Sequence, residues 1–313
     1  MPHFMKWILK VVMQKILSFF PNGENLNYFL QSKIIKSYPI SKKSFFGKFH
    51  RVIAHYEFFI KYAQNKNVSQ NIFYEFGVGQ DLIVPLSFYA LGIENQTVID
   101  ASKIVRLELI EDTFKKLSEY KKELEEVSKK SLRTNFLSIK NNPNPMEYLL
   151  KNFGVEYKAP LDAKNTKLPS EYFDFISSTD VLEHVNQKDI VPILIECKRI
   201  LKGDSVMSLT IDLRDHYSIF DKKISPFNFL KFSDMTWGAI NSYLHYQNRL
   251  RYSDYINLIK KSGFEILEEK LEFFSNQELE ELKRIRLAAR FKKHSADDLK
   301  IKYLNVAVKK NAK

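Results

Sequence analysis

Apolar positions along this chain switch between two periods, and the switching predicts the architecture. From about residue 25 to 67 the pattern is helical, with Phe49, Val52, Ile53, Tyr56 and Ile60 at i, i+3, i+4 spacing on one wide face. Residues 71–76 then read as a short buried strand, ended by Gly77-Val78-Gly79-Gln80-Asp81 and followed by a helix over about 82–91 that Gly92 closes. Thr97-Val98-Ile99-Asp100 is a second strand, and a long helix over about 104–130 follows, its Glu/Lys spacing marking a solvated face. Turn signals at Asn141-Asn142-Pro143-Asn144-Pro145 lead to a short helix, a third strand at 155–159, a fourth at 172–178, a helix at 188–201 and a fifth strand at 205–213. Such alternation predicts an α/β fold: a doubly wound, mostly parallel sheet with helices on both faces and ligands at the carboxyl ends of its strands.

The 313 residues, 44% of them hydrophobic, suffice for one large domain or a medium one with an appendage. The expected division is a helical segment at 1–69, packing on or capping a core at 70–313. A formal charge of +12 suits nucleic acid, an anionic membrane face or an acidic substrate, and equally a plain solvated lysine surface. Cys197 is the one cysteine, so no intramolecular disulfide forms, no Cys/His cluster has zinc spacing, and a reducing, cytoplasmic setting is expected. Residues 4–20 form an apolar helix interrupted by Lys6, Lys10 and Lys15 and stopped by Pro21-Asn22-Gly23. It is too short to span a bilayer, and no small-residue cleavage site follows it. Two readings stay open: an interfacial helix, which would set the protein peripherally on the inner membrane face, or a helix packed over the domain.

Chemistry-bearing residues collect at the strand ends. Two glycines one residue apart let the backbone approach a ligand, and Asp100 lies 25 residues after Glu75, where a doubly wound nucleotide fold presents a carboxylate to a ribose diol. His55, on the helix before the first strand, reads either as a cleft residue or as packing. Asp180, Glu183 and His184 would share a face if the turn after the fourth strand is helical, a set of the type that holds a divalent ion, but no metal is assigned.

Taken together, Glu75-Phe76-Gly77-Val78-Gly79, Ile99-Asp100, Leu161-Asp162-Ala163, Phe173-Asp174-Phe175-Ile176 with Val181-Leu182-Glu183-His184-Val185, and Arg199-Ile200-Leu201-Lys202-Gly203 resemble class I S-adenosylmethionine-dependent methyltransferases. The resemblance covers about residues 70–215 and extends to a bacterial subgroup in which an insertion after the fifth strand, here 216–252, covers the substrate pocket. It implies a seven-stranded Rossmann-like sheet closed by an antiparallel pair, about 264–271 and 303–309. It implies S-adenosyl-L-methionine as cofactor, with Glu75, Gly77 and Gly79 along its methionine half, Asp100 on the ribose, and Asp162 with the Ala163 N–H on the adenine. Asp81 departs from the pattern, standing where many members carry a third glycine. The Leu-Glu-His segment separates the chain from nicotinamide dehydrogenases.

Methyl transfer asks the protein to align donor and acceptor and to remove a proton. His216 and His184 are the candidate bases, with Asp212 and Asp215 near enough in sequence to orient His216. Asn248 and Arg249, with Asp212, are the candidate substrate contacts, an Arg fork suiting anionic or glycosyl groups; an internal ion pair from Arg249 to Asp212 or Asp215 is the competing reading. Basic runs at Lys283-Arg284-Ile285-Arg286 and Arg290-Phe291-Lys292-Lys293-His294 suit RNA phosphates or a helix surface. The expected function is methylation of a hydroxyl or amine on a small-molecule, saccharide or lipid-linked acceptor. An RNA methyltransferase and a non-catalytic methyltransferase-like binding protein stand as alternatives, and the sequence leaves the oligomeric state open.

Overall fold

The computed structural model describes residues 6–20, 23–34, 38–63, 67–140 and 142–311. Phe4, Met5, Pro21, Asn22 and Asn141, which entered the expected N-terminal helix and turns, lie outside these. Seven strands form one sheet in the order β3-β2-β1-β4-β5-β7-β6. They are β1 (Phe73–Phe76), β2 (Gln96–Ile99), β3 (Val155–Lys158), β4 (Phe173–Thr179), β5 (Leu201–Asp212), β6 (Phe264–Phe273) and β7 (Ile301–Lys310). The first five run parallel, while β7 lies antiparallel between β5 and β6. The expected doubly wound sheet and its closing pair are both present.

The helices include α1 (Lys6–Leu17), α2 (Gly23–Phe29), α3 (Lys42–Tyr62), α4 (Ile83–Ala90), α5 (Leu107–Glu119), α6 (Lys121–Ser128), α7 (Pro145–Phe153), α8 (Gln187–Ile200), α9 (His216–Phe220), α10 (Asp234–Ile240) and α11 (Tyr252–Lys261). In α3, Phe45, Phe49, Val52, Tyr56 and Phe59 form a buried stripe, and Ser41 caps its start by accepting from the Ser44 N–H at 3.2 Å. Side chains alternate along each central strand. Phe73 of β1 and Phe175 of β4 pack against α3, α4 and α5, while Tyr74 and Ile176 face α8 and α11. A third cluster lies beneath residues 216–252, where Trp7 of α1 packs among Tyr217, Phe229, Leu230 and Trp237.

The single helix expected over 104–130 is two. Tyr120, at φ −97° and ψ 14°, ends α5 and starts α6. Its ring sits 6.3 Å from Phe45 and 5.7 Å from Phe46, and the bend lets Leu124 be buried against the same face. Tertiary packing, with no Pro or Gly to signal it, makes this break.

Candidate active site

Strand ends and one helix build the site. β1 delivers Gly77 and Gly79 at its carboxyl end, both at positive φ, +77° and +75°. A Cβ on Gly77 would lie 2.4 Å from Val181 Cγ2, whereas one on Gly79 would meet nothing within 4 Å. The turn is therefore packed tight on one side and open on the other. Asp100 follows the end of β2; its Oδ2 accepts from the Gly79 N–H at 3.3 Å and its Oδ1 accepts from the Ala101 N–H at 2.9 Å. The loop after β3 returns to the same place, because the Leu161 N–H donates to the Asp100 carbonyl at 2.9 Å. That brings exposed Asp162 and half-buried Ala163 beside Asp100.

Glu75 is turned away from this group. Its side chain is buried, Oε1 accepting from Thr179 at 2.9 Å and Oε2 from Ser177 at 2.6 Å. Burial raises its carboxyl to about 7, against the pull of those hydroxyls and of Lys48. It supports the turn from within the sheet, which corrects the expectation that it lines the cofactor. His55 belongs to the same network, with Nδ1 2.6 Å from Ser208 Oγ and Nε2 3.2 Å from Thr179 Oγ1. Burial and then the Arg51 charge lower its pKa to about 3, so it is a neutral packing residue. Asp81 faces Lys48 at 2.8 Å and accepts from the Ile83 N–H at 3.3 Å, which fills the start of α4 with its own carboxylate.

Beside the glycine turn, a cleft of about 780 Å³ opens between α3 and the carboxyl ends of β4 and β5. Lys48, Arg51, Asp180, Asp212, Arg214 and His216 line it. Asp180 pairs with Arg51 at 2.8 Å. Asp212 Oδ2 is the meeting point of Arg214 Nη2 at 2.6 Å, the Tyr303 hydroxyl at 3.0 Å and His216 Nε2 at 3.4 Å. Burial alone would raise the Asp212 carboxyl, but His216 and Arg214 outweigh it and hold the group well below the usual carboxylate range. The His184 ring lies 4.7 Å from that of His216, and its Nδ1 is 2.6 Å from the Tyr246 carbonyl. A carbonyl accepts only from N–H, so Nδ1 carries the proton and Nε2 keeps its lone pair. Solvent reaches the ring at the floor of a crowded recess, where desolvation and the His216 charge lower its pKa. Two other cavities, of about 670 and 940 Å³, open at the amino ends of the strands, away from the glycine turn.

The family comparison decides among nucleotide-binding classes: residues 123–209 match the methyltransferase domain model. The chain carries a methyltransferase domain that uses S-adenosylmethionine. No curated protein sequence matches it. Among solved structures it is similar to a methyltransferase from Clostridium acetobutylicum at 12% identity, with a TM-score of 0.47, covering 92% of this chain and 99% of that one. It is also similar to the YcgJ protein of Bacillus subtilis at 14% identity and a TM-score of 0.44, covering 84% and 100%. The cofactor of this methyltransferase is S-adenosylmethionine. The open face of Gly79 beside the Asp100 carboxylate fits such a group, giving room against the backbone and an acceptor next to it.

Two expected substrate contacts of the methyltransferase prove to be structural. Asn248 spends Nδ2 on the Leu182 and Val185 carbonyls and Oδ1 on the Leu250 N–H and Tyr255 hydroxyl, so it pins the Leu-Glu-His segment to α11. Arg249 is buried and directs Nη1 to the Phe229 and Phe232 carbonyls and Nη2 to Asp234 at 2.7 Å, a different acid from either expected partner. Asp215 caps α9 through the Tyr217 N–H at 2.8 Å and holds Asn228, leaving Asp212 as the acid beside His216. In the basic runs, Lys283, Arg290 and Lys293 pair with Glu280, Asp234 and Asp254. Sequence reasoning missed Arg51, Arg214 and Tyr303. Arg51 was within reach of it, standing one helical turn before His55 on the same face.

Proposed function

We propose that this methyltransferase transfers the methyl group to a hydroxyl or amine of a saccharide carried on a lipid. When bound, S-adenosylmethionine supplies an electrophilic methyl on a sulfonium. The chain's residues do the rest: Asp100 accepts the ribose hydroxyls, Asp162 and the Ala163 N–H take the adenine edge, and Gly77 and Gly79 bring the backbone against the methionine half. His216, next to Asp212, takes the proton the acceptor must lose.

The observation that carries the acceptor class is the pairing of a polar cleft with an apolar outer surface. The cleft offers charged forks and carboxylates of the kind that read sugar hydroxyls. Outside, α1 is apolar on two faces. Trp7, Gln14 and Leu17 are buried, while Leu9, Val12, Ile16 and Phe19 face out, Phe19 with 84% of its surface exposed, and Leu26 and Phe29 of α2 extend the stripe. A stripe of that length on a chain of charge +12 suits an anionic bilayer surface. No helix among the described residues is long and apolar enough to cross a membrane.

The test supplies methyl-labelled S-adenosylmethionine with three acceptor pools: lipid-linked saccharides, free saccharides and RNA. Label in the lipid-linked pool, enhanced by phosphatidylglycerol vesicles and lost in Asp100→Ala, is the expected result. Label confined to RNA and suppressed by salt would overturn the acceptor class. A protein that binds S-adenosylhomocysteine yet labels no pool would overturn catalysis on these acceptors.

A further inference from the structure

Among the described residues, Glu183, His184 and His216 form a group of metal-capable side chains, one ligand atom from each lying within 4.8 Å of the others. They come from two places in the chain, the turn after β4 and the start of α9, brought together by the packing that sets their rings 4.7 Å apart. The His184 tautomer is already fixed for coordination, since its Nδ1–H is spent on the Tyr246 carbonyl at 2.6 Å. Metal-ligating histidines are commonly oriented in this way.

A second observation points to a missing partner. Glu183 is 2% exposed; its Oε1 accepts from the Asp212 N–H at 3.2 Å, while Oε2, also buried, has no hydrogen-bond partner. A buried carboxylate oxygen without a donor is costly. Asp180 and Asp212 add two further acids to its surroundings. The His245 ring lies 6.3 Å from that of His216 and 6.5 Å from that of His184, and its Nε2 is buried without a partner as well. Three carboxyl groups and three imidazoles thus crowd one recess; Arg51 and Arg214 pair with Asp180 and Asp212, among the described residues no ion pair reaches Glu183, and solvent reaches the recess past His184.

We propose that Glu183, His184 and His216 bind a divalent first-row transition ion, with a coordination position left open toward the cleft. Two imidazole nitrogens and one carboxylate oxygen favour zinc, cobalt, iron or nickel over magnesium or calcium. A bound ion supplies the positive partner that Glu183 Oε2 lacks. It also takes His216 as a ligand, which excludes the base role given to that residue above; an acceptor hydroxyl on the ion would instead lose its proton to solvent. The proposal does not depend on the identity of the acceptor.

The experiment titrates the full chain, stripped with a chelator, with cobalt(II) and with zinc. Absorption bands of cobalt in the visible region report its ligand field, and calorimetry reports the zinc stoichiometry. One ion per chain is expected, with affinity falling at least about tenfold in Glu183→Gln and in His184→Ala. Unchanged binding of S-adenosylhomocysteine by both variants serves as the check that they fold. No cobalt bands and no zinc heat in the wild type would overturn the proposal, as would equal affinity in the wild type and both folded variants. If the stripped enzyme methylates its acceptor at the same rate as the zinc-loaded one, an ion at His216 has no part in turnover and the catalytic consequence falls.

Discussion

Arg249→Met separates a structural arginine from a ligand clamp. The guanidinium is 2% exposed and lies between the Trp237 ring at 5.0 Å and the Phe291 ring at 5.2 Å. Burial, followed by the charge of Arg290, lowers its pKa to about 10 despite Asp234. Methionine fills much of the volume but leaves the Phe229 and Phe232 carbonyls without their donor. Each orphaned buried acceptor costs about 1–3 kcal/mol. Asp234, at 66% exposure, adds little because solvent replaces its partner. Loss of the two ring contacts and relief of the buried charge act in opposite directions, so the net destabilisation is about 3 kcal/mol. For a chain of this size that is about 5 °C in Tm. Urea unfolding followed by aromatic fluorescence gives the free energy, and calorimetry with S-adenosylhomocysteine shows whether the cofactor end is intact. A variant destabilised by less than about 1 kcal/mol that binds the cofactor but loses its acceptor would refute the assignment and restore Arg249 to the substrate site.

Gly77→Ala puts a Cβ 2.4 Å from Val181 in a left-handed backbone, so cofactor affinity should fall about tenfold, and adding Val181→Ala should recover part of it; no loss on calorimetry would mean the turn can move. Glu196 is held at about 2, first by the Arg199 hydrogen bond, then, against burial, by Thr166. A depressed carboxyl contributes stability above its unfolded pKa, near 4.5, and loses it as the pH falls toward 2. Glu196→Gln should therefore lower Tm at neutral pH and converge with the wild type at pH 2, and a constant gap across that range would contradict the assignment.

The alternation of strands and helices and the glycine turn were legible because each rests on a local signal, an apolar run, a Gly-x-Gly or a carboxylate at a strand end, whereas the closing antiparallel pair came from the family resemblance. The break at Tyr120 was not legible, since it is made by aromatic contacts with α3, far away in the sequence. The same divide runs through the site. Asp100, Gly77 and Gly79 could be found by spacing, whereas nothing in the pattern distinguishes Glu75 pointing into the sheet from Glu75 pointing out. That choice is made by Ser177 and Thr179 on the neighbouring strand. For Asn248 and Arg249 residue type was read correctly as capable of clamping an acceptor, but what they clamp is their own chain. The meeting of His184, His216 and His245 depends on how residues 216–252 fold back, which composition does not encode.

The antiparallel strand has a consequence for biosynthesis. β7 fills the place between β5 and β6, pairing Val206–Asp212 on one side and Phe264–Phe273 on the other. A ribosome delivers β5 long before β7. During that interval the inner edge of β5, with Val206, Met207, Leu209 and Ile211, stands unpaired, and β6 has no neighbour at all. The parallel half of the sheet can assemble as it emerges, but the whole closes only once residues 301–310 have been made, and a nascent chain halted before them exposes a sticky apolar edge. Quality control by chaperones during synthesis therefore matters most in the stretch between residues 213 and 300.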